Sequence, residues 1–226
     1  MSDAHAVEDR RAERVRLRLD VWTDLGCPWC YLAIHRLRHA LDETGATDHT
    51  DLVLRSFELD PAASTEPTTI MEIFTRKHGV SAGEASQAEA AIRQLAAAEG
   101  LPFTSERPHA NSVDVHRVLQ LANRHGRGVE FFETVQRRYF AGQLDPYRHD
   151  NLVAVAVETG LDGDRVRAVL AGDAYLAEVR RDEDAGHRLG ITGVPFVLLD
   201  QRYAVAGAQT AEAYARAISQ VREEAP

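Results

Sequence analysis

The sequence predicts an α/β fold: a four-stranded mixed sheet interrupted by a large all-helical insertion. Three observations carry this: a strand–helix–strand pattern near the N-terminus, a strand–strand–helix pattern near the C-terminus, and a long middle of helical periodicity with no convincing strand. At 226 residues the chain can bury a real core, and it suits one domain carrying an insertion.

Residues 16–25 alternate loosely through Leu17, Leu19, Val21 and Trp22, which predicts a strand. From Pro28 the spacing lengthens to three or four (Tyr31, Ile34, Leu37, Leu41) and makes one apolar helical face. Residues 50–59, with Leu52, Val53, Leu54, Phe57 and Leu59, predict a second strand ended by Asp60–Pro61. Two strands joined by a helix of this length form a right-handed parallel unit. Between residues 68 and 189, helical spacing recurs at Ile70/Ile73/Phe74, Ile92/Leu95/Ala96 and Val115/Val118/Leu119/Ala122. It continues at Phe132/Val135/Tyr139, Leu152/Val155/Ala156, Val166/Val169/Leu170 and Leu176/Val179. Asn111 is a candidate N-cap, Gly160 and Gly172 are candidate stops, and Pro102 to Pro108 breaks the run. The helices share no fixed period, so they are not repeats. Residues 195–199 predict a short strand, Asp200–Gln201–Arg202 a turn, and Tyr203 to Ala206 its hairpin partner. Thr210 then caps a helix carrying Ala213, Tyr214, Ala217, Ile218 and Val221. The expected units are a charged, frayed arm (1–15), a first half-domain (16–60), the helical insertion (61–189) and a second half-domain (190–226).

Net charge is −9, so the average surface attracts neither nucleic acid nor an anionic membrane. No stretch approaches the roughly 20 apolar residues that cross a bilayer. Residues 1–15 are charged and lack the apolar core of a secretory signal, so a cytoplasmic location is expected. The two cysteines, Cys27 and Cys30, cannot form a disulfide scaffold, because one short bridge does not staple a chain this long.

A C-x-x-C at a strand–helix junction has a specific use. Cys27 would sit at the helix N-terminus, partly exposed, where unpaired amides and the helix dipole favour an anion. Thiols so placed fall from about 8.5 to roughly 3.5–7 in pKa. Pro28 suits the first helical position, where its missing N–H is not needed. Cys30 lies nearly one turn on, facing Cys27; Cys27 attacks a disulfide, and Cys30 resolves the mixed disulfide. A zinc site would need further ligands. His35 and His39 share the cysteines' helix without the intervening loop such sites use, so no metal is expected and both histidines read as solvated. Asp24 either tunes the thiol pair, accepts a proton from Cys30, or is a turn residue. Trp29 is expected to be exposed, as a substrate contact or as a residue setting potential. His187 reads as a surface helix residue. Pro195, by base rates alone, is a trans proline opening an edge strand.

Thr23–Asp24–Leu25–Gly26–Cys27–Pro28–Trp29–Cys30–Tyr31–Leu32 resembles the active-site segment of DsbA-family oxidoreductases, particularly the FrnE-like branch. Gly193–Val194–Pro195–Phe196 is similar to the cis-proline loop of that family, and Ser56 to Pro61 and Ala206 to Gln209 to further stretches of the branch. The resemblance runs from about Leu17 to Val221. It implies a thioredoxin fold with strand order second, first, third, fourth, which the strand count also suggests. It implies a cis Pro195, with the Val194 backbone facing Cys27 and pairing with an extended substrate. The implied activity is thiol–disulfide exchange on protein substrates, by reduction, oxidation or isomerisation. The alternatives are a glutathione-dependent small-molecule enzyme, like 2-hydroxychromene-2-carboxylate isomerases and kappa-class transferases, or a non-catalytic chaperone or binding module. No cofactor beyond the redox pair is expected, with glutathione a possible co-substrate. Expected partners are protein or small-molecule thiols and disulfides, with the chain monomeric or homodimeric. The insertion is expected to roof a groove over Cys27 and Trp29.

Overall fold

The computed structural model describes residues 16–224, the side chains of residues 77 and 78 excepted, so the arm expected at 1–15 lies outside it. Strand β1 (Leu17–Thr23) leads through Asp24–Leu25–Gly26–Cys27 into helix α1 (Pro28–Glu43). A short 3₁₀ turn, Thr47–His49, precedes β2 (Thr50–Ser56), which pairs parallel with β1 from Leu17↔Thr50 to Thr23↔Ser56. Parallel neighbours need a crossover, and α1 supplies it. Strands β5 (Phe196–Leu199) and β6 (Tyr203–Ala206) return antiparallel, and the sheet order is β2-β1-β5-β6, as expected. The β5–β6 turn holds Asp200 and Gln201 at φ 48° and 56°, with no glycine. Asp200 suits that left-handed geometry because its carboxylate also accepts the Arg18 N–H at 2.9 Å, tying the turn to β1. Helix α9 (Ala211–Glu223), capped by Thr210, packs on α1.

Between β2 and β5 lie helices α2 (Ile70–His78), α3 (Ala82–Ala98), α4 (Val113–Arg124), α5 (Gly128–Phe140), α6 (His149–Glu158), α7 (Gly163–Ala171) and α8 (Leu176–Arg188). Thr69 with Glu72, and Ser81 with Glu84, close capping boxes that start α2 and α3. The second strand ends at Ser56, short of the expected residue 59, and two details of the insertion also differ from the sequence reading. The middle does contain strands, β3 (Thr68–Thr69) and β4 (Pro108–His109), paired as Thr68↔His109 and Thr69↔Pro108. At two residues each they are too short to show a period. Helix α4 is capped at Ser112, not Asn111; the Asn111 carboxamide accepts from Val113 N at 2.9 Å and donates to Pro61 O at 3.2 Å. The residue expected as the cap therefore ties the loop to Pro61, where the insertion begins.

The main core runs without a break from the sheet into the insertion. Leu19, Val21, Ile34 and Leu37 belong to the same buried cluster as Val118, Phe132, Val135 and Leu152. The other sheet face carries a smaller cluster of Trp22, Phe57 and Ile191, covered by α8. There the Trp22 indole donates to Asp182 O at 2.8 Å, and Gly186 admits the ring: a β-carbon on Gly186 would lie 3.0 Å from Trp22 Nε1.

Candidate active site

Cys27 occupies the N-cap of α1 with extended backbone (φ −83°, ψ 109°), and its side chain makes no capping bond, so the sulfur is left for other use. Pro28 follows in the first turn. The Cys27 carbonyl accepts Cys30 N–H at 3.1 Å and Tyr31 N–H at 3.3 Å, which turns Cys30 back beneath Cys27. Both thiols are free. Cys27 is 5% exposed and Cys30 fully buried, so Cys27 is more enclosed than the sequence reading expected. The reason is the β5 loop. Pro195 follows a cis peptide bond from Val194, and the Cys27 thiol points at the Val194 carbonyl, 3.5 Å away.

Burial pushes the Cys30 thiol well above its ordinary pKa, and its hydrogen bond and proximity to Cys27 push it further. The Thr23 hydroxyl and the Asp24 amide pull it back only in part. Cys30 is thus a protonated donor to the sulfur of Cys27 at neutral pH, which is the division of labour that a nucleophile and a resolving thiol require.

Asp24 is buried, and its carboxylate is occupied. Oδ1 accepts from Ser112 Oγ at 2.8 Å and lies 3.2 Å from His116 Nε2, while Oδ2 accepts from Leu59 N at 2.9 Å. Burial pushes its pKa up, but hydrogen bonds and the charge interaction with His116 outweigh that and hold it below the ordinary carboxylate value. Its backbone serves the same turn: Asp24 O accepts from Cys27 N at 3.4 Å and from Gln136 Nε2 at 3.3 Å. Asp24 therefore clasps the cysteine turn to α4, α5 and the segment after β2.

Beside Cys27 opens a cavity of about 490 Å³, walled by Trp29 and Leu59 and roofed by Ile70, Ile73, Phe74 and Ile92 of the insertion. Trp29 is 43% exposed at its rim. The roof corresponds to the groove expected over Cys27 and Trp29. Deeper in the wall, Arg107 and Glu89 form a buried bidentate pair at 2.6 and 3.0 Å, with the guanidinium over the Phe103 and Phe140 rings. Glu89, Arg107, His109, Ser112 and Tyr147 in this wall, and His116 behind it, were not singled out from sequence. His116 alone left a signal, as a polar residue inside the apolar stripe Val115/Val118/Leu119.

His35 and His39 stay on the α1 face away from the thiols, their rings edge-on at 4.5 Å. His187 is exposed, its ring edge-on to Phe57 at 5.3 Å. Among the described residues no group of three or more His, Cys, Asp or Glu side chains is placed to hold a metal, and no helix is long and apolar enough to cross a membrane.

Comparison with known proteins agrees with this geometry. A probable DsbA oxidoreductase of Streptomyces coelicolor is 39% identical over 93% of this chain and 92% of its own, with a TM-score of 0.88. The cytosolic disulfide reductase DsbM of Pseudomonas aeruginosa, solved with glutathione, shares the fold at 19% identity, 91% and 99% coverage and a TM-score of 0.65. So does a 2-hydroxychromene-2-carboxylate isomerase, at 16% identity, 90% and 95% coverage and a TM-score of 0.68. No curated protein sequence matches. The DSBA-like thioredoxin domain matches residues 18–219, nearly the whole chain, and the protein belongs to that family.

Proposed function

We propose that the protein exchanges thiols and disulfides on protein substrates through Cys27 and Cys30, as a cytoplasmic member of the FrnE-like branch. The observation that carries this reading is the asymmetry of the pair: Cys27 caps α1 and lines the cavity, while Cys30 is sealed beneath it with a raised pKa. Cys27 attacks a substrate disulfide, forming one S–S bond as another breaks. Cys30, deprotonated as it attacks, then displaces the reduced substrate and closes the Cys27–Cys30 bridge. The Val194 carbonyl beside Cys27 is available to pair with an extended substrate backbone, Trp29 offers an apolar contact at the rim, and Pro28 and Asp24 hold the turn. Electrons are carried by the pair itself, with glutathione entering only as co-substrate. The cytosolic DsbM relative supports the compartment.

A second reading, glutathione-dependent chemistry on a small molecule at Cys27 alone, is favoured by the enclosure of the cavity. The two separate in one experiment. Under the first reading, Cys27→Ser abolishes insulin reduction and Cys30→Ser accumulates mixed disulfides. Full turnover by Cys30→Ser with glutathione would favour the second.

A further inference from the structure

Five large apolar side chains are exposed among the described residues, and two of them, Trp29 and Leu59, wall the chamber beside Cys27. Leu59 is 45% exposed, yet its backbone is fixed: its N–H donates to the buried Asp24 carboxylate at 2.9 Å. Asp24 thus holds both the cysteine turn and the chain that carries Leu59. The roof of Ile70, Ile73, Phe74 and Ile92 continues the apolar lining. At about 490 Å³ the space falls within the roughly 300–1,000 Å³ of small-ligand pockets.

The charged groups of the chamber offer little to an anion. Among the described residues its lining holds one arginine, Arg107, whose buried guanidinium is committed to Glu89 and, at 2.6 Å, to Thr104 O. It holds one histidine, His109, and both ring nitrogens of His109 are buried. Asp24 and Asp60, which also line the chamber, are acidic. A carboxylate brought here would lose its water against isoleucine and phenylalanine and find no reachable cation among these groups.

We propose that this chamber selects disulfides flanked by a bulky, uncharged apolar group and discriminates against glutathione disulfide. The occupant is the side chain next to the target cysteine of a protein or peptide. The proposal rests on the reading of Cys27 as nucleophile. In the mixed disulfide the substrate sulfur is bonded to Cys27, so the residue beside it lies against the chamber walls. An apolar side chain placed there removes Trp29 and Leu59 from water. Glutathione presents carboxylates in its place. An apolar pocket separates groups that fill it from groups that do not by about tenfold or more.

The test measures second-order rates of oxidation of the reduced protein by three disulfides: blocked peptides with Phe beside the cysteine, the same peptides with Glu there, and oxidised glutathione. Each rate is divided by that of the same disulfide with dithiothreitol, which removes differences in intrinsic reactivity. The Phe disulfide should react about tenfold or more faster than the other two. The preference should persist in ~1 M salt, where the Debye length is about 3 Å and the protein's net charge of −9 no longer repels anions at a distance. Leu59→Asn should slow the Phe disulfide about fivefold or more and change glutathione disulfide less than about twofold. Equal rates for the three disulfides, a preference that vanishes in salt, or an equal loss on all three in the variant overturns the proposal. Inactivity of the unmodified protein toward all three would instead overturn the exchange reading beneath it. If the variant does not fold, the rates of the unmodified protein in high salt decide alone.

Discussion

Asp24→Asn is the most informative single change, because it removes a charge and almost no volume. The carboxylate receives Ser112 Oγ and Leu59 N–H and lies against His116 Nε2, all inside the protein. An amide keeps one acceptor oxygen but turns an NH₂ toward a former donor, so at least one buried group loses its partner. A stranded donor costs about 1–3 kcal/mol, and weakening the remaining bond by removing the acceptor's charge adds about 1 kcal/mol, so the net loss should be about 2–4 kcal/mol. For a chain of this size that is a fall in melting temperature of about 4–16 °C.

The pH dependence sharpens the test. The folded carboxyl titrates below its unfolded value of about 3.9, so its stabilisation is present above that pH and is lost as pH falls through the lower folded value. Urea unfolding of both proteins should therefore show a gap that is constant near neutrality and closes under acid conditions. A gap below about 0.5 kcal/mol at pH ~7, or one that acid does not narrow, would refute the clasp.

Arg107→Met should destabilise by about 3–5 kcal/mol because it strands the Glu89 carboxylate in an apolar wall, and adding Glu89→Leu should recover most of the loss; urea unfolding reads both. Gly186→Ala should cost about 1–3 kcal/mol, because its methyl would meet Trp22 at 3.0–3.1 Å, and the near-ultraviolet dichroism of that indole should change. An unchanged spectrum would mean that α8 yields without disturbing the tryptophan.

The parts of the fold legible in the sequence were those written locally. The stripe Tyr31/Ile34/Leu37/Leu41 and the strands around Leu19, Leu54 and Val197 announce themselves within a few residues, and their order fixes the sheet. The thiol pair was legible because both cysteines, the helix start and Pro28 fall in four consecutive positions. The chamber was not. Its wall draws Glu89 from α3, Arg107 and His109 from the segment after the Pro102 break, and Tyr147 from the loop after α5. Only tertiary packing unites them, and no periodicity records it. For the same reason Asp24 was read from its position only as a partner of the thiols or as a turn residue. Its carboxylate proves to be engaged with Ser112 and His116, 88 and 92 residues away.

The central claim is that Cys27 and Cys30 act as one two-electron pair, and redox titration against glutathione, read by Trp29 fluorescence and intact mass, tests it most directly. The account expects a single transition that loses two hydrogens without adduct and shifts about 30 mV per tenfold change in equilibrium constant. Stable glutathionylation of Cys27 with Cys30 still reduced, or no oxidation at any ratio, would contradict it.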